Sequence, residues 1–186
     1  MNFDDKDQWT EAMPPGEEDE LEPPRIDPNR LFVVSGDALS DMRLEPIRFC
    51  VEGLLPEGLA ILSGASKVGK SWLVLDLGVR VARGLPLWDL PTRQGDVLYL
   101  CLEDSLNRIQ SRQNRVTEDP PENLYFAITA GSIDGNLFEQ IRGFRSEHPA
   151  LSLVMVDTFQ LVRGGGTEIS YAGDYQDMRK LKAIAM

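Results

Sequence analysis

The sequence has little of what many small functional sites are made from. Its two cysteines, Cys50 and Cys101, stand far apart among apolar neighbours. Neither a disulfide framework nor a thiolate metal set follows from that spacing, and both read as buried thiols in a reducing compartment. The single histidine, His148, lies beside Pro149 at a helix end and offers no metal site and no nucleophile–histidine triad. Apolar runs such as 72–75 and 151–156 are far short of the roughly 20 residues that cross a bilayer. The first residues, Met-Asn-Phe-Asp-Asp-Lys-Asp, are acidic where a secretory leader is basic and then apolar. A cytoplasmic protein without a membrane segment is expected.

Positive charge is also scarce, with a net charge of −11 over 186 residues. Residues 1–30 hold ten acids against Lys6, Arg25 and Arg30, so −7 of that total sits in the leader and −4 in everything after it. A body so nearly balanced is neither a polyanion mimic nor a strongly basic nucleic-acid binder. The leader itself is rich in Asp, Glu and Pro and has no apolar period. Such a segment buries too little surface to offset its ordering entropy, so 1–30 reads as a disordered acidic tail. A partner-binding or autoinhibitory arm is the functional alternative.

From residue 31 to 186 short apolar runs alternate with amphipathic stretches. Ala60-Ile61-Leu62-Ser63 reads as a buried strand after the turn Pro56-Glu57-Gly58. Residues 70–83 read as a helix stopped by Gly84, and residues 96–102 as a second buried strand ending on Glu103-Asp104. A polar helix over 105–116, a strand over 124–128, a helix over 137–146 and a strand over 151–156 follow. A last helix is expected from Tyr175. Near-continuous apolar strands alternating with helices predict an α/β, three-layer fold with a mainly parallel sheet and right-handed crossovers. Four strands followed by an undocked helix make an incomplete sheet, so the core reads as truncated at its C-terminus.

Between the first strand and the first long helix lies Gly64-Ala65-Ser66-Lys67-Val68-Gly69-Lys70-Ser71, a full Gly-x-x-x-x-Gly-Lys-Ser phosphate loop. Gly64 and Gly69 permit backbone conformations closed to other residues, so the loop can wrap a phosphate with its N–H groups turned inward. The helix that starts there presents its positive end to the same anion. Lys70 supplies a point charge to the β- and γ-phosphates of ATP, and the Ser71 hydroxyl is suited to Mg²⁺. Asp157 closes the run Leu-Ser-Leu-Val-Met-Val and would stand at the carboxyl end of a parallel strand, as a second Mg²⁺ ligand. Glu103 ends another buried strand and is the candidate for activating the attacking water. Asp104 competes for that role, or caps the helix that follows.

Four segments together resemble the RecA-like AAA ATPases of the RepA helicase type, which serve plasmid, phage and mobile-element replication. They are Leu54-Leu55-Pro56-Glu57-Gly58, Ser66-Lys67-Val68-Gly69-Lys70-Ser71-Trp72, Val97-Leu98-Tyr99-Leu100-Cys101-Leu102-Glu103-Asp104 and Val154-Met155-Val156-Asp157-Thr158. The resemblance covers about residues 45–186. It implies that Glu103 is the catalytic glutamate, that Asp157 is the Walker B aspartate, and that Trp72 joins the loop in holding nucleotide. It also implies a homo-oligomeric ring, a hexamer, with ATP between subunits and single-stranded DNA in the channel. The family's sensor strand and arginine finger would follow Met186.

Arg108, Arg112 and Arg115 recur at helical spacing and read either as phosphate or subunit contacts or as a solvated face. Trp88 reads as a packing residue, with nucleotide contact as the alternative, and Arg163-Gly-Gly-Gly-Thr167 as a flexible connector. A non-unwinding RecA-like loader or recombination mediator remains open. A small-molecule kinase is disfavoured by the lack of a lid-like, arginine-bearing insertion.

Overall fold

The computed structural model describes residues 31–163 and 171–185; the acidic tail, 1–30, and residues 164–167 of the expected connector lie outside the described residues. The chain divides into two units, Met1–Leu44 and Glu45–Met186. In the first, the described part carries one short helix, α1 (Gly36–Asp41), with no buried side chain.

The second unit contains everything else. Strands β1 (Phe49–Val51) and β2 (Leu55–Pro56) form a small antiparallel pair. Helix α2 (Lys70–Arg83), strand β3 (Asp96–Cys101), helix α3 (Leu106–Val116) and strand β4 (Leu124–Ala127) come next. Helix α4 (Leu137–Glu147), strand β5 (Leu151–Asp157), a 3₁₀ turn over Phe159–Leu161 and helix α5 (Tyr171–Ile184) complete it. The parallel sheet has the order β4-β3-β5, with β3 in the middle.

Strand side chains alternate between faces, and here both faces are covered. Val97, Tyr99 and Cys101 of β3 join Leu124 and Met155 against Leu75, Val79 and Ala82 of α2 and Ile109 of α3. On the other face Leu98 and Leu100 pack with Leu137 and Ile141 of α4, Val162, and Leu181 of α5. The result is the three-layer α/β architecture that the alternation of elements predicts. Gly78 lets α2 lie close on the sheet, since a Cβ there would stand 2.7 Å from Met155 Cε.

The direction of α2 fixes the site. Its last turn is tied to the beginnings of the strands: the Asn123 side chain donates to the Ala82 carbonyl at 2.9 Å, and the Gln94 side chain donates to the same oxygen at 3.2 Å. Gly84, at φ 67°, caps this end. A 14-residue helix is roughly 20 Å long. Its first turn therefore reaches the opposite edge, where β3 and β5 end.

Three expectations are corrected. The segment Ala60-Ile61-Leu62-Ser63 is neither a strand nor buried: Ile61 is 67% and Leu62 51% exposed. A strand needs a neighbour for its backbone groups, and among the described residues none pairs with this segment, so the parallel sheet has three strands. The last helix begins at Tyr171 and is docked. Asp177 is buried and pairs with Arg163 at 3.4 Å, Lys180 pairs with Asp134, and Leu181 enters the core. Trp88 does not pack. It is 63% exposed at the tip of a two-residue hairpin in which Leu87 and Leu90 exchange hydrogen bonds of 2.9 Å, with Trp88 and Asp89 both at positive φ. That hairpin hangs on the last turns of α2 through Leu85 N–H to the Arg80 carbonyl, far from the phosphate loop.

Candidate functional site

The phosphate loop leads directly into α2. Lys67 at φ 64° and Gly69 at φ 97° supply the left-handed backbone that turns the chain, and Gly69 is the N-cap. The N–H groups of Trp72 and Leu73 donate to the Gly69 carbonyl at 3.0 Å, so the helix is closed from its first turn. Lys70 Nζ donates to the carbonyls of Gly64 and Ala65, both at 2.8 Å. An ammonium has three protons, so the lysine fastens the loop and keeps a donor for an anion. Ala65, Ser66, Lys67 and Val68 are exposed, Ser71 is half-buried in the first turn, and Trp72 is exposed beside it.

Asp157 is the last residue of β5 and the register partner of Cys101, the last residue of β3. The ladder continues one step further, with Leu102 N–H donating to the Asp157 carbonyl at 2.7 Å. Met155, two residues earlier, faces α2, and the strand period puts Asp157 on that same face. Its carboxylate thus stands at the sheet edge reached by the start of α2. Tyr99 Oη donates to Asp157 Oδ2 at 3.0 Å. Glu103 lies two residues past the end of β3, exposed, and among the described residues no side-chain hydrogen bond or ion pair engages it.

Asp104 is different. Its side chain is 9% exposed and held by Arg112 at 2.5 Å and Arg108 at 3.3 Å. The helix N-cap is Ser105, so Asp104 neither caps α3 nor offers a free base. Arg112 is thus largely buried against Asp104, while Arg108 reaches the same carboxylate from the solvated side of α3, where Arg115 is exposed as well. His148 lies against Tyr125 and Phe144, with Nδ1 3.6 Å from the Asp96 carboxylate, at the far edge of the sheet.

Burial raises the Tyr99 phenol well above its ordinary range, and the adjacent Asp157 charge adds to that. Burial pushes the Cys101 thiol up to about 12, with the charges of Asp104 and Asp157 contributing. Burial likewise raises Cys50. Both thiols are free. The site's aspartate is therefore flanked by two groups that keep their protons.

This donor set fits a magnesium–triphosphate. Among the described residues no cluster of three or more His, Cys, Asp or Glu forms a complete cage for a metal. Mg²⁺ does not ask for one: it takes one or two protein oxygens and fills its remaining positions from phosphates and water. Ser71 and Asp157 would provide those oxygens, and the loop N–H groups with Lys70 would provide the anion cradle. Sequence reading missed Tyr99 and the Asp104–arginine cluster. The signal for the first was a tyrosine inside a continuous apolar strand, where a buried hydroxyl must find a partner.

No helix among the described residues is long and apolar enough to cross a membrane. No curated protein matched the chain. A family model described as an AAA domain matches residues 22–181, which is most of the sequence and includes the loop, Glu103, Asp157 and the sheet that carries them. With that match added to a glycine-rich loop at a helix start beside strand-end carboxylates, the chain belongs to the AAA-domain family of nucleotide-binding P-loop ATPases.

Proposed function

We propose that this ATPase is a RecA-like motor: a DNA helicase subunit of plasmid, phage or mobile-element replication, working as a homo-oligomeric ring, a hexamer, on single-stranded DNA. The observation that carries the reading is that the start of α2, the end of β5 and the turn after β3 share one sheet edge. In this reading the loop N–H groups and Lys70 hold the triphosphate, and Ser71 and Asp157 hold Mg²⁺, which neutralises charge on the phosphate oxygens. Glu103 accepts a proton from water as the water oxygen attacks the γ-phosphorus and the β–γ bridging oxygen departs with ADP. The exposure of Glu103, against the arginine-bound state of Asp104, favours it as the base. Because Arg112 is occupied by Asp104, DNA contact in this proposal is made by other residues.

The test is ATP hydrolysis with and without single-stranded DNA, paired with a strand-displacement assay. Stimulation by DNA together with unwinding supports the motor. Stimulation without unwinding favours the loader or mediator alternative, and phosphate transfer to a metabolite without DNA dependence would overturn both.

A further inference from the structure

We propose that Tyr99 is a positioning residue for Asp157, its buried hydroxyl holding the carboxylate in the orientation that serves the metal. The inference rests on the reading of Asp157 as a Mg²⁺ ligand.

The two strand-edge aspartates are anchored by opposite chemistry. Asp104 is held by two guanidiniums, which more than offset its charge. Asp157 is held by a phenol, a neutral donor that fixes one oxygen and leaves the negative charge intact. A carboxylate meant for a cation needs that second arrangement. It also needs an anchor, because rotation about the last bond of an aspartate side chain is broad and only weakly restricted.

Tyr99 is built to be such an anchor. It is 2% exposed, so its ring has no freedom to swing into water. The Phe126 ring lies beside it on β4, with centroids 6.0 Å apart and planes tilted 45°. In the β3–β5 register Tyr99 stands opposite Met155, which makes Asp157 its diagonal neighbour, within the reach of an aromatic side chain. The hydroxyl meets Oδ2 at 3.0 Å, leaving Oδ1 for a metal or its water. A buried hydroxyl that merely sought the nearest acceptor would matter to stability alone. A positioning hydroxyl matters to the metal.

The experiment titrates Mg²⁺ into the full chain with a fluorescent ATP analogue and reads the Mg²⁺ concentration at half-maximal tightening, for the wild type, Tyr99→Phe, Asp157→Asn and the double variant. Thermal melts check that each is folded. Loss of a hydrogen bond to a charged group raises the requirement about tenfold in Tyr99→Phe. In the Asp157→Asn background the same change adds less than about twofold, because its partner carboxylate is already gone. Phe126→Leu loosens the ring and keeps the hydroxyl; it is expected to shift the requirement in the same direction by less, and it keeps the idea testable should Tyr99→Phe not fold.

An unchanged requirement in Tyr99→Phe, or an equal shift in both backgrounds, overturns the positioning role while Asp157→Asn still shows the metal defect. An unchanged requirement in Asp157→Asn instead removes Asp157 from the metal site, and this inference falls with it.

Discussion

The carboxylate side of the site and its phosphate loop are built on different principles. Asp157 ends a strand paired with the buried central strand β3, and sits beside a buried tyrosine and thiol. The loop follows a segment, 59–63, that is exposed and has no ladder partner among the described residues. Its order comes from local devices: two left-handed backbone positions and a lysine bonded to two carbonyls of its own loop. The fold therefore sets Asp157 independently of ligand, while the loop has most to gain from one. Few buried contacts and exposed backbone mark regions that open at low cost.

Substitutions separate the two sides. Glu103→Gln is expected to leave nucleotide affinity within about twofold and to lower turnover by about 10²–10⁴-fold, the usual contribution of a positioned general base. Normal turnover in that variant would move water activation to another residue. Lys70→Ala acts on the other side, weakening ATP binding about a hundredfold, or about 2.7 kcal/mol, as a fluorescence titration would show. Asp104→Asn belongs to neither. It leaves two guanidiniums facing a neutral amide, so urea unfolding should show a loss of about 2 kcal/mol with turnover kept within a few-fold. Strong loss of turnover without loss of stability would contradict the structural role given to Asp104.

Hydrogen exchange sharpens the same contrast without mutation. At about 100 times the dissociation constant, Mg·ATP stabilises its bound state by about 2.7 kcal/mol, so amides over 59–69 should slow by up to about a hundredfold. Amides of β3 and β5 should change far less, since their opening already requires breaking the sheet. Equal protection of loop and strands would mean that nucleotide orders the whole domain, and the two-part description would be wrong.

What the residues disclosed in advance follows the same division. Local signals were legible: Lys70–Arg83 has the helical bounds its apolar spacing and Gly84 predict, and β5 ends on Asp157 as the apolar run implies. Partners were not. The Tyr99–Asp157 bond joins residues 58 apart in sequence, and apolar periodicity reports that a side chain is buried but not what it meets. The Asp104 cluster was half visible, since the arginine spacing was plain and its object was not. Ala60-Ile61-Leu62-Ser63 failed for a related reason: β-propensity states a willingness to pair, and pairing depends on a neighbour. Trp88 was misjudged because Trp-Asp is an unusual choice for a turn with both central residues at positive φ.

The smallest expected effect concerns alkaline pH and again distinguishes strand from loop. Burial raises the Cys101 thiol from an ordinary 9.0 to about 12 in the folded protein. Near pH 9 and above, the unfolded chain sheds this proton while the folded chain keeps it. Stability contributed by the protonated thiol is thus complete below pH 9 and declines as pH rises toward 12. Burial of Tyr99 acts in the same direction from its own, higher, ordinary value. Urea midpoints should therefore fall between about pH 9 and 10.5, and Cys101→Ala should flatten part of that fall. Iodoacetamide at pH 8.5 should modify Cys101 only slowly in the native protein and readily in denaturant, because the thiolate is the reactive form. Lys70→Ala should leave both behaviours unchanged, since the loop has no share in the packing that holds the thiol. A loop substitution that made Cys101 reactive would show that the phosphate loop and the strand ends open together, and that Asp157 depends on the loop after all.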